Sequence, residues 1–459
     1  MTVNAGARLD RLPMSGFHRR ILWLIGIGMF FDGFDIYIMS IVLGATVAGK
    51  FSTLAENAQF VSMTFVGMTV GSLATGFLGD RFGRRFTYQL NLMVFGVASL
   101  AAALAPNMAV LIACRFVMGV GLGAENVVGY STLTEFMPPA ARGRMQGLMT
   151  VFVVTGLPVA SLLGLALVPI ATWRVMFVIG GLGAIAVWYV RKQLPESPRW
   201  LAATGRDAEA EALLASIEAE ALAEHGALPA VPAGDPPRFS RSLGSLFAPG
   251  MLRRLVVGCV LLIVINTLIY GFVTWLPTFF VSQGMTIARS IGFTLVMTLG
   301  APVGSAIGAL SSDRWGRRRV IVVASALAIA VGAVYPFATD PALVMVCGAA
   351  LVVPIYVLVA LLFGIYVPEL FPTEIRLRAS GICNTLGRAA TIGTPYLVVR
   401  LFASRGVTGV LALMIALLVL QIAAVAGWGV ETRGRTLEDV AADAARQPLP
   451  LATDVGARP

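Results

Sequence analysis

The chain has 459 residues, of which 57% are hydrophobic and 13% charged, with a mean hydropathy of +0.83 and a formal net charge of +10. That composition excludes a soluble globular protein, and the length excludes one small domain. The positive charge does not point to nucleic acid, because it is divided among short loops instead of being gathered on one face.

Crossing a hydrocarbon core of about 30 Å takes about 20 apolar residues in a helix. In chain order, apolar runs bounded by charges, prolines or polar turns cover 20–48, 57–79, 86–106, 109–134, 144–169 and 172–192, then 254–282, 288–311, 319–339, 342–367, 377–402 and 406–429. The runs are continuous, whereas strands of a membrane barrel alternate over about ten residues. The expected fold is therefore all-α, with twelve transmembrane helices. Arg8, Arg11, Arg19 and Arg20 precede the first run, and every second loop after it is basic, as at Arg84 and Arg85, Arg142 and Arg144, Arg317 to Arg319, and Arg376 and Arg378. The positive-inside bias then places both termini in the cytoplasm. The first run is full length and lacks the cleavage site of a secretory signal, so it reads as a retained helix. Cys114, Cys259, Cys347 and Cys383 all fall in apolar runs and read as packing residues. With His18 and His225 the only histidines, no metal site is expected.

The first run contains "GMFFDGFDIYIMS", residues 28–40, with Asp32 and Asp35 among apolar neighbours. A charge at the centre of a membrane helix costs at least about 2.5–3.5 kcal/mol, so each such residue needs a cavity or a partner. Counting about 1.5 Å per residue from Arg20, Asp32 sits roughly 18 Å up and Asp35 roughly 22 Å up. Their spacing of three places both on one helix face, towards one cavity wall. The fourth run descends, which puts Arg115 at the depth of Asp35, close enough to approach it, and Glu125 about 15 Å deeper. Arg388, ten residues past Arg378, reads as the one cation at central depth, and Glu125 is its available structural partner.

Roles follow from these placements. Asp32, Asp35 and Glu125, tuned by Arg115, are the candidate proton-coupling residues, with Asp32 the one that loads and unloads. Arg388 is the candidate anchor for a substrate carboxylate, which guanidinium binds bidentately, and Asn384 lies on the same helix face. Tyr270, Trp275 and Tyr366 are candidate walls for a flat ring. No phosphate loop, nucleophile constellation or metal cluster appears, so neither an enzyme nor a cofactor is expected. A non-transporting sensor lacks an appended signalling domain.

The sequence also repeats. "GDRFGRR" at 79–85 returns as "SDRWGRR" at 312–318, an offset of 312 − 79 = 233, and "EFMPPAARGRMQGL" from Glu135 returns as "ELFPTEIRLRASGI" from Glu369, an offset of 369 − 135 = 234. The expected organisation is a six-helix half at 1–193, a cytoplasmic linker at 194–252 with an amphipathic helix in "AEAEALLASIEAEALAEH", a second half at 253–430 and a tail at 431–459. Parallel repeats of six helices place a binding site at their interface near the midplane. Asp80 with Arg84 and Arg85, and Asp313 with Arg317 and Arg318, are expected to pair across the contact between the halves and so to govern gating.

These repeated loops resemble the signature of the major facilitator superfamily of secondary transporters. "RFVMGVGLGAE" resembles its fourth-helix pattern, and "PESPRWL" at 195–201 resembles sugar porters and the organic-ion, nicotinate and synaptic-vesicle-glycoprotein branch. "DGFD" resembles aromatic-acid:proton symporters. The resemblance implies alternating access, and an arginine on helix 11 implies an organic anion, since organic-cation members carry an acid there. The function it implies is proton-coupled import of a small aromatic monocarboxylate such as a hydroxybenzoate or nicotinate. A monomer is expected, and the excess of arginine over lysine, with Lys50 and Lys192 the only lysines, points to a bacterial cytoplasmic membrane. The alternative is a sugar or polyol porter, which needs no Arg388. "TGLPVASLLG" lacks the clean Gly-Pro pair of drug:proton antiporters, which argues against efflux.

Overall fold

The computed structural model describes residues 4–231, 249–338, 340–371 and 376–432, and the described residues contain helices and no strands. Residues 232–248 of the expected linker and 433–459 of the expected tail lie outside them. Among the described residues, ten helices are long and apolar enough to cross a membrane. An eleventh crossing is α3, Leu54–Phe82, whose 29 residues span about 43 Å at the α-helical rise. The twelfth comes from α17, Arg376–Trp428, where non-helical backbone at Gly406 divides one 53-residue element into two crossings. Twelve crossings therefore stand in two sets of six, as the apolar runs predict.

The chain starts and stops these helices with local chemistry. Thr53 and Glu56 form a reciprocal capping box at the start of α3. Asn107 caps α5, Met108–Phe136, by accepting from the Val110 N–H, and Asp340 caps α15, Pro341–Leu361, through Ala342 and Leu343. The first membrane helix, α2, runs from Gly16 to Ala48, and the fifth and sixth are α6, Pro139–Ala171, and α7, Arg174–Val190. Two later crossings are interrupted. The seventh passes from α10, Pro249–Gly271, through a short 3₁₀ turn at Val273–Trp275 into α11, Leu276–Ser282. The tenth, α15, loosens into a π-helical turn at Leu362–Tyr366, a rare geometry that often marks functional sites.

The arginine-rich face carries a small extra layer: α1, Ala5–Asp10, α8, Pro198–Ala203, and the amphipathic helix α9, Asp207–His225. One stripe of α9, Ala210, Leu214, Ile217 and Ala221, is buried, and the last three share a cluster with Leu9, Phe17 and Ile21. The acids flanking this stripe pair with the N-terminal arginines: Arg8 with Glu211 and Glu218 at 2.6 Å each, Arg11 with Glu218 at 2.7 Å, Arg19 with Glu224 at 2.9 Å and Arg20 with Glu220 at 3.3 Å. Ion pairs this exposed contribute about 0–1 kcal/mol each, whereas burying Leu214 and Ile217 is worth about 1.5–3 kcal/mol apiece. The apolar stripe therefore holds α9 in place and the ion pairs fix its register.

On the same face, each half has a charged corner. Glu196 accepts the backbone N–H of Arg84 at 2.9 Å at the start of α4, Arg84–Ala103, while the Arg84 guanidinium pairs with Glu135 at 3.0 Å. In the second half, Glu431 accepts the N–H of Arg317 at 2.9 Å at the start of α14, Arg317–Val334, and Arg317 pairs with Glu369 at 3.2 Å. Just before each helix stands a glycine with positive φ, Gly83 at 92° and Gly316 at 88°, a turn that a side chain would strain. Carboxylates at helix N-termini are favoured by the exposed N–H groups there. Arg85 and Arg318 donate to backbone carbonyls of their own halves, Lys192 and Val425. The contacts described for these arginines lie within their own halves, whereas the expected pairs with Asp80 and Asp313 fall on side chains outside the described residues.

Candidate functional site

Between the two halves lies a cavity of about 520 Å³, within the range of small-molecule sites. Its walls come from α2, α3, α5 and α6 of the first half and from α10, α15 and α17 of the second. Gln146, Pro368 and Gly381 extend it towards the arginine-rich face. Towards the opposite face the halves touch: Ser62 donates to the Ile392 carbonyl at 2.9 Å, the Tyr356 hydroxyl donates to that of Tyr37 at 3.3 Å, and Phe65 meets Tyr270 edge to face at 4.4 Å. The π-helical turn contributes Phe363 and Gly364 to the wall.

Arg388 lines this cavity, and it is the one charged side chain among the described lining residues. Its Nη1 donates to the Ser72 hydroxyl of the opposite half at 3.0 Å, and no carboxylate among the described residues pairs with it. Asn384 lies one turn earlier on the same wall, donating to the Ser380 carbonyl, and Tyr270 stands in the wall as expected from the sequence. Trp275 and Tyr366 do not belong to it. Trp275 is buried and stacked with Phe279, and the Tyr366 hydroxyl donates to the Val430 carbonyl at 3.0 Å near the arginine-rich face. In exchange the wall gains amides and hydroxyls that apolar runs concealed: Asn126, Tyr130, Gln146, Thr150 and Asn266. Asn266 was traceable, since it stands at the Asp32 position of the repeat, 266 − 32 = 234.

The membrane-depth acids form a separate centre, packed inside the first half. Arg115 reaches Asp35 Oδ2 from Nη1 at 2.5 Å and the Asp35 carbonyl from Nη2 at 3.2 Å, while its Nε donates to Thr64 at 3.1 Å. Both side chains are fully buried. The expected approach of Asp35 and Arg115 is thus the geometry found. The alternative role of Arg388, as structural partner of Glu125, is not found among the described contacts. Glu125 is held by Arg191, which the sequence places at the frayed end of the sixth helix and which no sequence argument singled out. Arg191 also donates to the Leu24 and Ile25 carbonyls of α2, at 2.9 and 2.8 Å, and its guanidinium lies 4.6 Å over the Tyr88 ring. Gly28 makes room for it: a Cβ there would lie 1.9 Å from Arg191 Nη2. Arg388 is therefore not the only cation at depth.

Asp32 completes this centre. It is 1% exposed, the charges of Glu125, Arg191 and Asp35 act on it, and its Oδ2 has no hydrogen-bond partner among the described residues. Neither aspartate lines the cavity, which α2 meets through Ile36 and Tyr37. The shared face of Asp32 and Asp35 turns instead towards the buried arginines, because a carboxylate taken out of water is held best by a guanidinium. Three acids and two bases thus share the interior of the first half, so charge balance there calls for one proton. Among the described residues no group of histidines, cysteines and acids could hold a metal, and the four cysteines are free thiols.

A family model described as "Sugar (and other) transporter" matches residues 22–444. The inner membrane metabolite transport protein YdjE of Escherichia coli is 36% identical over 95% of this chain and 98% of its own length. The niacin transporter NiaP of Acinetobacter baylyi is 32% identical over 95% of this chain and 99% of its own length. Among solved structures, the inward-open conformation of the xylose transporter XylE from E. coli superposes with a TM-score of 0.70 at 16% identity, covering 93% of this chain and 99% of XylE. That last likeness is one of fold.

Proposed function

The chain belongs to the sugar (and other) transporter family within the major facilitator superfamily, and on that premise we propose that it is a proton-coupled symporter importing a small organic monocarboxylate, aromatic in class, such as a hydroxybenzoate or nicotinate. A multi-pass membrane transporter of this family is not an enzyme. The observation that carries the proposal is Arg388, a guanidinium on the cavity wall held by one hydroxyl and free of any described carboxylate. A half-buried, unneutralised cation at membrane depth is costly, and an incoming carboxylate offsets that cost through two charge-assisted hydrogen bonds. The resemblance to a niacin transporter supports the same class. Tyr270 and Phe65 supply aromatic wall for the ring.

Proton coupling rests on the interior charge count. With Arg115 committed to Asp35 and Arg191 to Glu125, Asp32 is the acid left without a guanidinium of its own. Its proton would be taken up from the outside and released to the cytoplasm as the halves rock about the cavity. With the arginine-rich face cytoplasmic, an anion entering a negative cell works against about 2.3 kcal/mol per 100 mV, and one co-transported proton removes that electrical cost. The corners at Arg84 and Arg317 would gate by holding each half rigid on the cytoplasmic side.

A sugar or polyol cargo is the second reading, favoured by the amides and hydroxyls of Asn126, Gln146, Thr150 and Asn266 in the wall. Proteoliposome uptake driven by an inward proton gradient separates the two. Benzoate, 4-hydroxybenzoate or nicotinate is expected to accumulate, with Arg388→Ala abolishing transport. Asp32→Asn is expected to lose gradient-driven accumulation while keeping substrate exchange between equal pH compartments. Accumulation of glucose or xylose alone, or undiminished carboxylate uptake by Arg388→Ala, would overturn the anion assignment.

A further inference from the structure

A second, larger hollow of about 1,350 Å³ lies on the side of α6 away from the cavity. Gln146, Thr150, Val153 and Val154 face the cavity, whereas Leu148, Val151, Phe152 and Thr155 face the hollow, about half a helical turn round. The opposite wall is Trp23, Ile27 and Phe30 of α2. Trp23 is 58% exposed and meets Phe152 edge to face at 5.2 Å. From Leu22 to Phe30 the groove descends eight residues, about 12 Å, which is most of one leaflet of a hydrocarbon core about 30 Å thick.

Its upper rim is cationic. Arg144 is exposed, and no carboxylate among the described residues pairs with it. Arg19 is 63% exposed and carries Glu224 on one side at 2.9 Å. Arg11 at the same rim is engaged by Glu218 and by the Pro229 carbonyl. Asp10, the acid among the described lining residues, is already matched by Arg142 at 3.3 Å and Arg199 at 2.7 Å. An apolar channel of leaflet depth under spare guanidinium charge fits a molecule with a hydrocarbon tail and an anionic head.

We propose that this groove binds one anionic phospholipid of the arginine-rich leaflet, with an acyl chain between α2 and α6 and its phosphate at Arg19 and Arg144. The lipid would bridge the first and fifth membrane helices, and α6 is shared with the cavity wall, so occupancy bears on the helix that lines the transport site.

Trp23 reports on this directly. Full-length protein would be reconstituted in phosphatidylcholine with a fixed fraction of brominated phosphatidylglycerol or brominated phosphatidylcholine, and Trp23 quenching taken as the difference between the wild type and Trp23→Phe. Quenching is expected to favour the brominated phosphatidylglycerol, with the preference falling about fivefold for each of Arg144→Ala and Arg19→Ala. Both arginines are surface residues, so unchanged circular dichroism and thermal midpoint would certify folding. Equal quenching by the two lipids, or a preference that survives both substitutions, would overturn the proposal and leave a groove that takes any acyl chain. Absence of Trp23 quenching by either lipid would overturn it too, since the groove would then be covered by protein. Loss of the preference to glycerol phosphate at constant ionic strength would reassign the rim to soluble anions.

Discussion

The two halves of the molecule are alike at their corners and unlike in their interiors. Glu196, Arg84 and Glu135 are answered by Glu431, Arg317 and Glu369, at offsets of 431 − 196 = 235, 317 − 84 = 233 and 369 − 135 = 234, with the same partners at nearly the same distances. Inside, the same offset of 234 takes Asp32 to Asn266 and Glu125 to Val359, and brings Arg388 back to Val154. The duplicated part is what any pair of rocking bodies needs. The unduplicated part divides the charges, with acids and their arginines in the first half and, in the second, the cation proposed to hold the cargo.

Breaking the interior tests that division hardest. Removing one partner of a buried ion pair leaves an uncompensated charge and typically costs about 3–5 kcal/mol. Arg191→Leu is expected to lose that much, read as a large fall in thermal midpoint in detergent, and Glu125→Leu in the same chain is expected to restore most of it. A double variant as unstable as the single would show that Arg191 acts through the Leu24 and Ile25 carbonyls instead. The corners should give smaller and matched effects: Glu196→Gln and Glu431→Gln each remove a carboxylate from a helix start, worth about 0.3–1 kcal/mol. Unequal losses in thermal midpoint or uptake rate would break the symmetry argued here.

The smallest effect belongs to the peripheral layer. Hydrogen bonds from Arg8, and next from Arg11, hold the Glu218 carboxyl below its ordinary range, against the opposing effect of partial burial. A depressed folded-state value means that its stabilisation is present above the ordinary carboxylate range and is lost as pH falls through the lowered value. Hydrogen exchange over Asp207–His225 should therefore stay slow from neutral pH down through about pH 4 and quicken only below it. Quickening already between pH 7 and 5 would mean that Glu218 is not what fixes the helix.

Most of the fold was legible because a bilayer leaves few choices: apolar runs of the right length must be helices, and the two repeated loops declare two halves. The buried Asp35 to Arg115 contact was legible as well, from depth counting along two opposed helices. Arg191 was not, because an arginine beside Lys192 at the end of an apolar run looks like a topogenic flank. Two signs pointed to it: Glu125 lacked a base once Arg115 was spent on Asp35, and Gly28 sits opposite with no side chain. Glu431 hid because "VETRGR" and "PESPRW" share one acid and one arginine in different company. Trp275 and Tyr366 misled for a plainer reason: a helical face of aromatics serves packing as well as a cavity, and no spacing distinguishes them.

The strap of α9 over Arg8, Arg11, Arg19 and Arg20 also has a meaning in time. Glu211, the first of its acids to pair, follows Arg8 by 211 − 8 = 203 residues. At about 5–20 residues per second of synthesis, the four arginines stand bare for roughly 10–40 seconds, the interval in which the first helices enter the bilayer. During insertion they can act as a topogenic signal for the first helix. Once the acidic helix emerges, the same four side chains become its mooring, and the address label is folded away into the finished protein.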